Sequence, residues 1–338
     1  MRVLVTGANG HLGFNLVTAL LATGHAVRGS IRSLADTAKT ARLKSLGDVE
    51  VVEAELSRPD QLRAAMEGVE LLYHTAAVYS YAEPGRNREM LDASIKGTEA
   101  AFRAAADAGV RKVVLTSSVV TLPLTDPGAP PVDETRWADD LRVPYLRAKT
   151  EGERVAWRTA RELGLKLVTV LPGAITGPGF RRNTPSIDLI ESMMGGTMRL
   201  GVPDLNLPLV DVRDVTAAHL LAGERDVEGR FAVCNDTLPT FRAMLEAMHA
   251  IDPKVRLPLM TLPSFMAGAL PLFDRVNRLT SGTPVTLSPE LIATVRGKIW
   301  NVSNRRIKEA FGWRQTVTME QTLGDTMAAL RAREQSRA

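Results

Sequence analysis

Short apolar runs punctuate the first half of the chain. They fall at Val3 to Val5, Ala26 to Ile31, Val49 to Glu53, Glu70 to His74, Lys112 to Ser117 and Lys166 to Leu171. Their length and their content of Val, Ile and Leu predict strands. Between them the spacing changes to that of helices: Leu12, Leu16, Leu20 and Leu21 follow the first run, and helical patterns occupy 36–46, 60–67, 86–108 and 145–163. Regular alternation of β and α elements predicts an α/β fold with a doubly wound parallel sheet. Such sheets bind ligands beyond the carboxyl ends of their strands, so the residues that follow each run are the candidates for chemistry.

The first of these ends is the most informative. Val3 to Val5 leads into Thr6-Gly7-Ala8-Asn9-Gly10-His11-Leu12-Gly13, a GxxGxxG turn between a strand and a helix. Gly7 lets the chain leave the strand sharply, Gly10 lets backbone N–H groups approach a pyrophosphate, and Gly13 lets the helix pack close to the sheet. The helix N-terminus then faces the phosphates. In this context the turn predicts dinucleotide binding on a Rossmann-type sheet, with Thr6, Gly7, Asn9, Gly10, His11, Leu12 and Gly13 as contacts. The second run ends at Arg32, where a site for NAD would place an acid on the ribose hydroxyl. A guanidinium there suits a 2′-phosphate, and Lys39 adds a second charge, so the expected cofactor is NADP(H). Four further strand ends complete the expected cleft. Glu55 and Leu56 flank the adenine; Thr75, Ala76 and Ala77 form a small-residue floor under ribose and nicotinamide; Thr116, Ser117 and Ser118 present hydroxyls; Pro172, Gly173 and Ile175 lie on a stretch beside the nicotinamide.

Tyr145-Leu146-Arg147-Ala148-Lys149 supplies the chemistry. Positions four apart share a helix face, so the Tyr145 hydroxyl and the Lys149 ammonium can lie over one ribose. A cation beside a phenol favours the phenolate. Tyr145 then donates a proton to a carbonyl oxygen as hydride arrives, or accepts one in reverse, with Ser118 holding that oxygen.

These residues resemble the extended short-chain dehydrogenase/reductases over most of the chain: TGANGHLG at 6–13, HTAA at 74–77, LTSS at 115–118, YLRAK at 145–149 and LPGAITGPG at 171–179. VRGSIRS at 27–33 with Lys39, DETRWADD at 133–140 and ASIKGTEAAFRAA at 93–105 are similar to the branch holding dihydroflavonol 4-reductase, cinnamoyl-CoA reductase and microbial aldehyde or ketone reductases. The resemblance implies Ser118, Tyr145 and Lys149 as the catalytic triad. Two departures point away from a flavonoid: Thr121-Leu122-Pro123-Leu124 stands where the plant dihydroflavonol reductases carry an Asn, and the stretch from Trp137 to Tyr145 is shorter than theirs.

The second half is expected to form a smaller mixed α/β substrate domain, from 173–207 and 236–338, with 208–235 returning to a nucleotide domain of 1–172. Asp214 reads as the cap of a helix, and His219, among apolar neighbours, as structural. Arg181, Arg182 and Asn183 read as a solvated loop within reach of cofactor or substrate. Leu257 to Phe273 is seventeen residues without a charge, interrupted by Pro258, Pro263 and Pro271. That is short and broken for a membrane span, so a lid over the pocket or a membrane-surface contact is expected, with Met193, Met194 and Met198 adding soft lining.

Composition narrows the rest. A net charge of +4 is spread along the chain, which points away from nucleic acid. Cys234 is the single cysteine, so no internal disulfide forms, and no Cys/His cluster has metal spacing. With residue 3 already in a strand there is no room for a signal peptide, and the cytosol is the expected compartment, the protein a monomer or homodimer. The activity expected is NADPH-dependent reduction of a ketone or aldehyde on an apolar or aromatic substrate. Alternatives are an NAD-dependent nucleotide-sugar epimerase, a 3β-hydroxysteroid dehydrogenase-like enzyme, and a non-catalytic NADP(H)-sensing protein.

Overall fold

The computed structural model describes residues 1–76, 87–262 and 293–336. Its centre is a parallel sheet built from β1 (Arg2–Thr6), β2 (Ala26–Ile31), β3 (Val49–Glu53), β4 (Leu71–His74), β5 (Lys112–Thr116), β6 (Lys166–Pro172) and, later in the chain, Gly229–Val233. With three short strands between, β7 (Ala174–Thr176), β8 (Val202–Pro203) and β9 (Leu209–Asp211), that last strand is β10, and the sheet order is β10-β6-β5-β4-β1-β2-β3. The order reverses between β1 and β4, which opens a crevice at their carboxyl ends.

Alternation along each strand divides the core. Val3, Val5, Leu71, Tyr73, Val168 and Val170 face one side, where α1 (His11–Ala22) and α7 (Val212–Glu224) pack. Leu4, Leu72, Val113, Leu115 and Leu167 face the other, against α3 (Pro59–Met66), α4 (Asn87–Asp107) and α5 (Pro144–Leu163). Burial on both faces is why these strands read as continuous apolar runs. The short α2 (Thr37–Lys44) begins at Asp36, whose side chain accepts from Lys39 N at 3.1 Å, and ends before the 36–46 pattern does.

A second core joins α6 (Pro185–Met194), α8 (Phe241–Ile251) and α10 (Met319–Gln335) through Ile190, Met193, Met244, Leu245, Leu323 and Met327. The intervening α9 (Arg305–Phe311), with Trp313, packs instead into the sheet's first core. A parallel pair of β7 with β9 carries the chain from one core to the other.

The helix cap is not at the position the sequence suggested. Asp211 caps α7, accepting from Arg213 N at 2.8 Å. Asp214, fully buried one turn inside, accepts instead from Thr316 N at 3.0 Å and Val317 N at 3.1 Å, tying the chain after α9 to α7. Met193 is likewise core and not pocket lining. The apolar stretch is described only to residue 262: Leu257, Leu259 and Met260 are exposed, Thr261–Leu262 forms β11 beside β8, and the rest of the expected lid lies outside the described residues.

Candidate active site

At the head of the crevice the glycine turn is packed as tightly as its spacing implied. Gly7 has φ +66°, and a Cβ on Gly13 would stand 2.3 Å from the Gly7 carbonyl oxygen. Gly10 caps α1 without any side-chain hydrogen bond, and the first turn holds no acid, so its N–H groups remain available to an anion. Around the turn, Thr75 Oγ1 donates to Thr6 O at 2.7 Å and Ala76 N donates to Thr6 Oγ1 at 3.2 Å. The Thr6 hydroxyl also hydrogen-bonds His74 Nδ1, 2.9 Å away. Burial lowers His74 to about 4, so the ring is neutral. Ala77 lies outside the described residues. This arrangement fits a dinucleotide pyrophosphate over the turn.

The residues expected around the adenosine are placed unequally. Arg32 is exposed and has no hydrogen-bond or ion-pair partner among the described residues, so its guanidinium is available to a phosphate. Lys39 is paired with Asp36 at 2.5 Å. Glu55 is exposed, its backbone N donating to Gln61 Oε1, while Leu56 packs over Gly97. Sequence reasoning missed Arg42, three residues beyond Lys39 on α2. It lies over the Phe14 ring at 3.5 Å and donates to Gly179 O at 2.5 Å and more weakly to Asn9 O at 3.4 Å, so it fastens the segment after β7 to the glycine turn. His11 does the same from the turn: its Nε2 donates to Pro178 O at 3.0 Å, and burial lowers it to about 4.

The three residues of the expected triad meet around two cavities. Ser118 and Tyr145 line a cavity of about 190 Å³ whose wall also holds Val120, Leu146, Met198, Leu207, Phe241 and Trp300. Behind it, a space of about 40 Å³ is lined by Tyr145, Lys149, His74, Thr116, Ser117 and Glu153. Tyr145 is thus common to both. Ser118 sits at the start of a single 3-10 turn, Val119–Thr121, directly after β5, which aims it past the strand end. Pro144 starts α5, a position where the missing N–H is not needed, and so sets the register that brings Tyr145 and Lys149 onto one face. Desolvation lowers Lys149 to about 8, opposed by the Glu153 carboxylate. Gly173 also lines the larger cavity, where a Cβ would stand 2.1 Å from Pro208 O, and Pro172 ends β6. Ile175 packs against the sheet's first core.

Two hydroxyls at the end of β5 are committed elsewhere. Ser117 Oγ donates to Glu153 Oε2 at 2.6 Å, and Thr116 Oγ1 donates to His219 Nε2 at 2.8 Å. Since His219 Nδ1 donates to Val215 O, its ring is fully engaged and structural. Asn183 is bound to Asp188 and Glu191 rather than solvated. Among the described residues no group of His, Cys, Asp and Glu is placed to hold a metal ion, and no helix is long and apolar enough to cross a membrane.

The sequence model of the NAD dependent epimerase/dehydratase family matches residues 3–234. Sterol demethylase protein B of Methylococcus capsulatus is 36% identical over 279 residues, covering 82% of this chain and 83% of that protein. Cinnamoyl-CoA reductase 1 of Arabidopsis thaliana is 32% identical over 271 residues, with 76% of each covered. The crystal structure of gox2253 superposes with a TM-score of 0.83 at 27% identity, with 98% of each chain covered.

Proposed function

The chain belongs to the NAD dependent epimerase/dehydratase family, and from that premise we propose that it is an NADPH-dependent reductase of a ketone or aldehyde group on an apolar or aromatic substrate, reversible as an alcohol dehydrogenase. That it is an NAD(P)-dependent oxidoreductase of the extended short-chain type follows from its relatives. The observation that carries the finer reading is the shared position of Tyr145, which lines an apolar cavity together with Ser118 and the space behind it together with Lys149. The names of the two relatives, a sterol demethylase protein and a cinnamoyl-CoA reductase, point to the same kind of substrate.

NADPH, when bound, supplies the hydride. The glycine turn and the open N-terminus of α1 hold its pyrophosphate, and Arg32 its 2′-phosphate. In the larger cavity the substrate carbonyl oxygen accepts hydrogen bonds from Ser118 and Tyr145. As the carbon gains hydride, negative charge grows on that oxygen and Tyr145 transfers its proton to it. Lys149 stabilises the phenolate left behind and holds the ribose hydroxyls. Nucleotide binding is assigned to 1–172 with 208–235, and substrate binding to 173–207 and 236–338, apart from α9 and Trp313, which support the sheet.

The test is loss of NADPH absorbance with a panel of aromatic and aliphatic aldehydes, ketones and β-ketoesters. Turnover with NADPH that falls at least about 100-fold in Tyr145→Phe, with NADPH affinity kept, is the expected result. Full activity in Tyr145→Phe would remove the proton-donor role.

A further inference from the structure

We infer that the buried ion pair of Glu153 and Arg230 is a positioning device for Ser118, gripping the chain on both sides of that residue. The inference rests on the reading of Ser118 as the group that orients the carbonyl. Glu153 lies one turn beyond Lys149 on α5 and is 2% exposed; Arg230, on β10, is 6% exposed. Arg230 Nε donates to Glu153 Oε1 at 2.8 Å. From this pair two arms reach the end of β5. In one, Ser117 Oγ donates to Glu153 Oε2 at 2.6 Å. In the other, Arg230 Nη2 donates to Thr121 Oγ1 at 2.8 Å, and Thr121 Oγ1 donates to the Ser118 carbonyl at 2.9 Å.

The rest of the network holds the pair itself still. Thr169 Oγ1 donates to Glu153 Oε1 at 2.8 Å. Arg230 Nη1 donates to the carbonyls of Glu134 and Arg136, at 2.8 and 2.7 Å, and Nη2 makes a second contact with Glu153 Oε2 at 3.3 Å. All five guanidinium N–H donors are therefore used, and the guanidinium lies flat over the Trp137 ring at 3.5 Å. Replacing a buried ion pair by apolar residues of similar volume is often neutral or stabilising, so stability is a weak reason for building this one. Its geometry is the stronger reason. A planar fork fixes several partners at once, which an ammonium cannot do, and here the partners are Glu153, which holds Ser117, the Thr121 hydroxyl beyond Ser118, and the carbonyls of Glu134 and Arg136. The pair thus joins the end of β5, α5 and β10 and anchors the backbone on either side of Ser118, whose Oγ accepts from Val120 N at 3.3 Å.

The experiment is a double-mutant cycle in the full-length enzyme between Arg230→Lys and Ser118→Ala. If the pair acts through Ser118, Arg230→Lys lowers kcat by about 10-fold or more and leaves the NADPH dissociation constant within about twofold, and the same change costs under about twofold when Ser118 is already Ala. Equal losses in both backgrounds would overturn the inference. Ser117→Ala and Thr121→Val each cut one arm and leave the ion pair, so they carry the same cycle should Arg230→Lys fail to fold. Amide hydrogen exchange of residues 117–122, which needs no substrate, gives a separate readout: faster exchange there in each variant, with α5 unchanged, is expected, and unchanged exchange would overturn the clamp. A wild-type protein that reduces no carbonyl, yet shows the exchange effect, would sink the proposed activity and leave the clamp standing.

Discussion

Lys149 is pulled in two directions. Burial lowers its ammonium to about 8, and Glu153 one turn away works to keep the charge. In the proposed mechanism the charged form is the one that supports Tyr145, so kcat/KM for carbonyl reduction is expected to fall as pH rises through about 8, well below the 10.5 of an ordinary lysine. Glu153→Gln removes the raising influence and should move that limb to lower pH; a wild-type limb near 10 would contradict the assignment. At the 2′-phosphate end of the proposed cofactor site, Arg32 stands exposed, without a partner among the described residues. A charge-assisted contact of about 1.5–3 kcal/mol makes Arg32→Ala weaken NADPH by roughly 10- to 100-fold, with NADH little changed, as read by fluorescence titration. Both residues were legible in the sequence because their chemistry fixes a local spacing: four residues on one helix face, or the end of the second strand. Arg42 and Arg230 were not. Their partners lie 137 and 77 residues away, at Gly179 and Glu153, and no local pattern announces a pairing that only the fold creates.

The same distinction holds for whole elements. Strands β1, β4, β5 and β6 could be read because burial on both faces makes them largely apolar, and β2 and β3 from their Val and Ile content, whereas β7, β8, β9 and β11 are two or three residues long and show no period. Helix α7 gave a partial reading. Two acids near its start, Asp211 and Asp214, are both plausible caps by type, and only the structure separates them. Asp211 caps the helix and accepts two bonds from Arg213, which also reaches Asp325 on α10 at 2.6 Å. Asp214 satisfies the Thr316 hydroxyl and two backbone N–H groups of the segment between α9 and α10. Asp214→Ala leaves the buried Val317 N–H and the part-buried donors of Thr316 without an acceptor, at about 1–3 kcal/mol. Urea unfolding should show a lower midpoint of that size. NADPH affinity should survive below the transition, since neither the glycine turn nor Arg32 depends on this contact.

At the scale of the molecule, three neutral histidines are built into the nucleotide half: His11 in the glycine turn, His74 at the end of β4 and His219 in α7. They are 7%, 1% and 0% exposed, and burial lowers each to about 4 from 6.5. Between those two values the unfolded chain binds protons that the folded protein refuses. The stability these groups contribute is therefore complete above about pH 6.5 and is lost as pH falls toward 4. A shift of about 2.5 units corresponds to roughly 3 kcal/mol for each ring at the acid end, at most. The lowered carboxylates do not share this window: Asp140, lowered to about 2 by Arg142, loses its contribution only below the ordinary carboxylate value of 3.8, whereas Glu134, raised by burial above the ordinary 4.5, takes up its proton in the folded protein first and so works against the histidine effect. Chemical denaturation at a series of pH values should thus show a midpoint that falls steadily from pH 6.5 to 4.5, and His74→Asn should reduce the slope by about one proton's worth. A flat midpoint over that interval would mean that the rings are protonated in the folded protein. The loss should be felt first where the rings make their contacts, at Thr6, Thr116 and Pro178 around the crevice, so the proposed cofactor NADPH, by binding the folded state alone, is expected to offset the acid effect increasingly as its concentration rises.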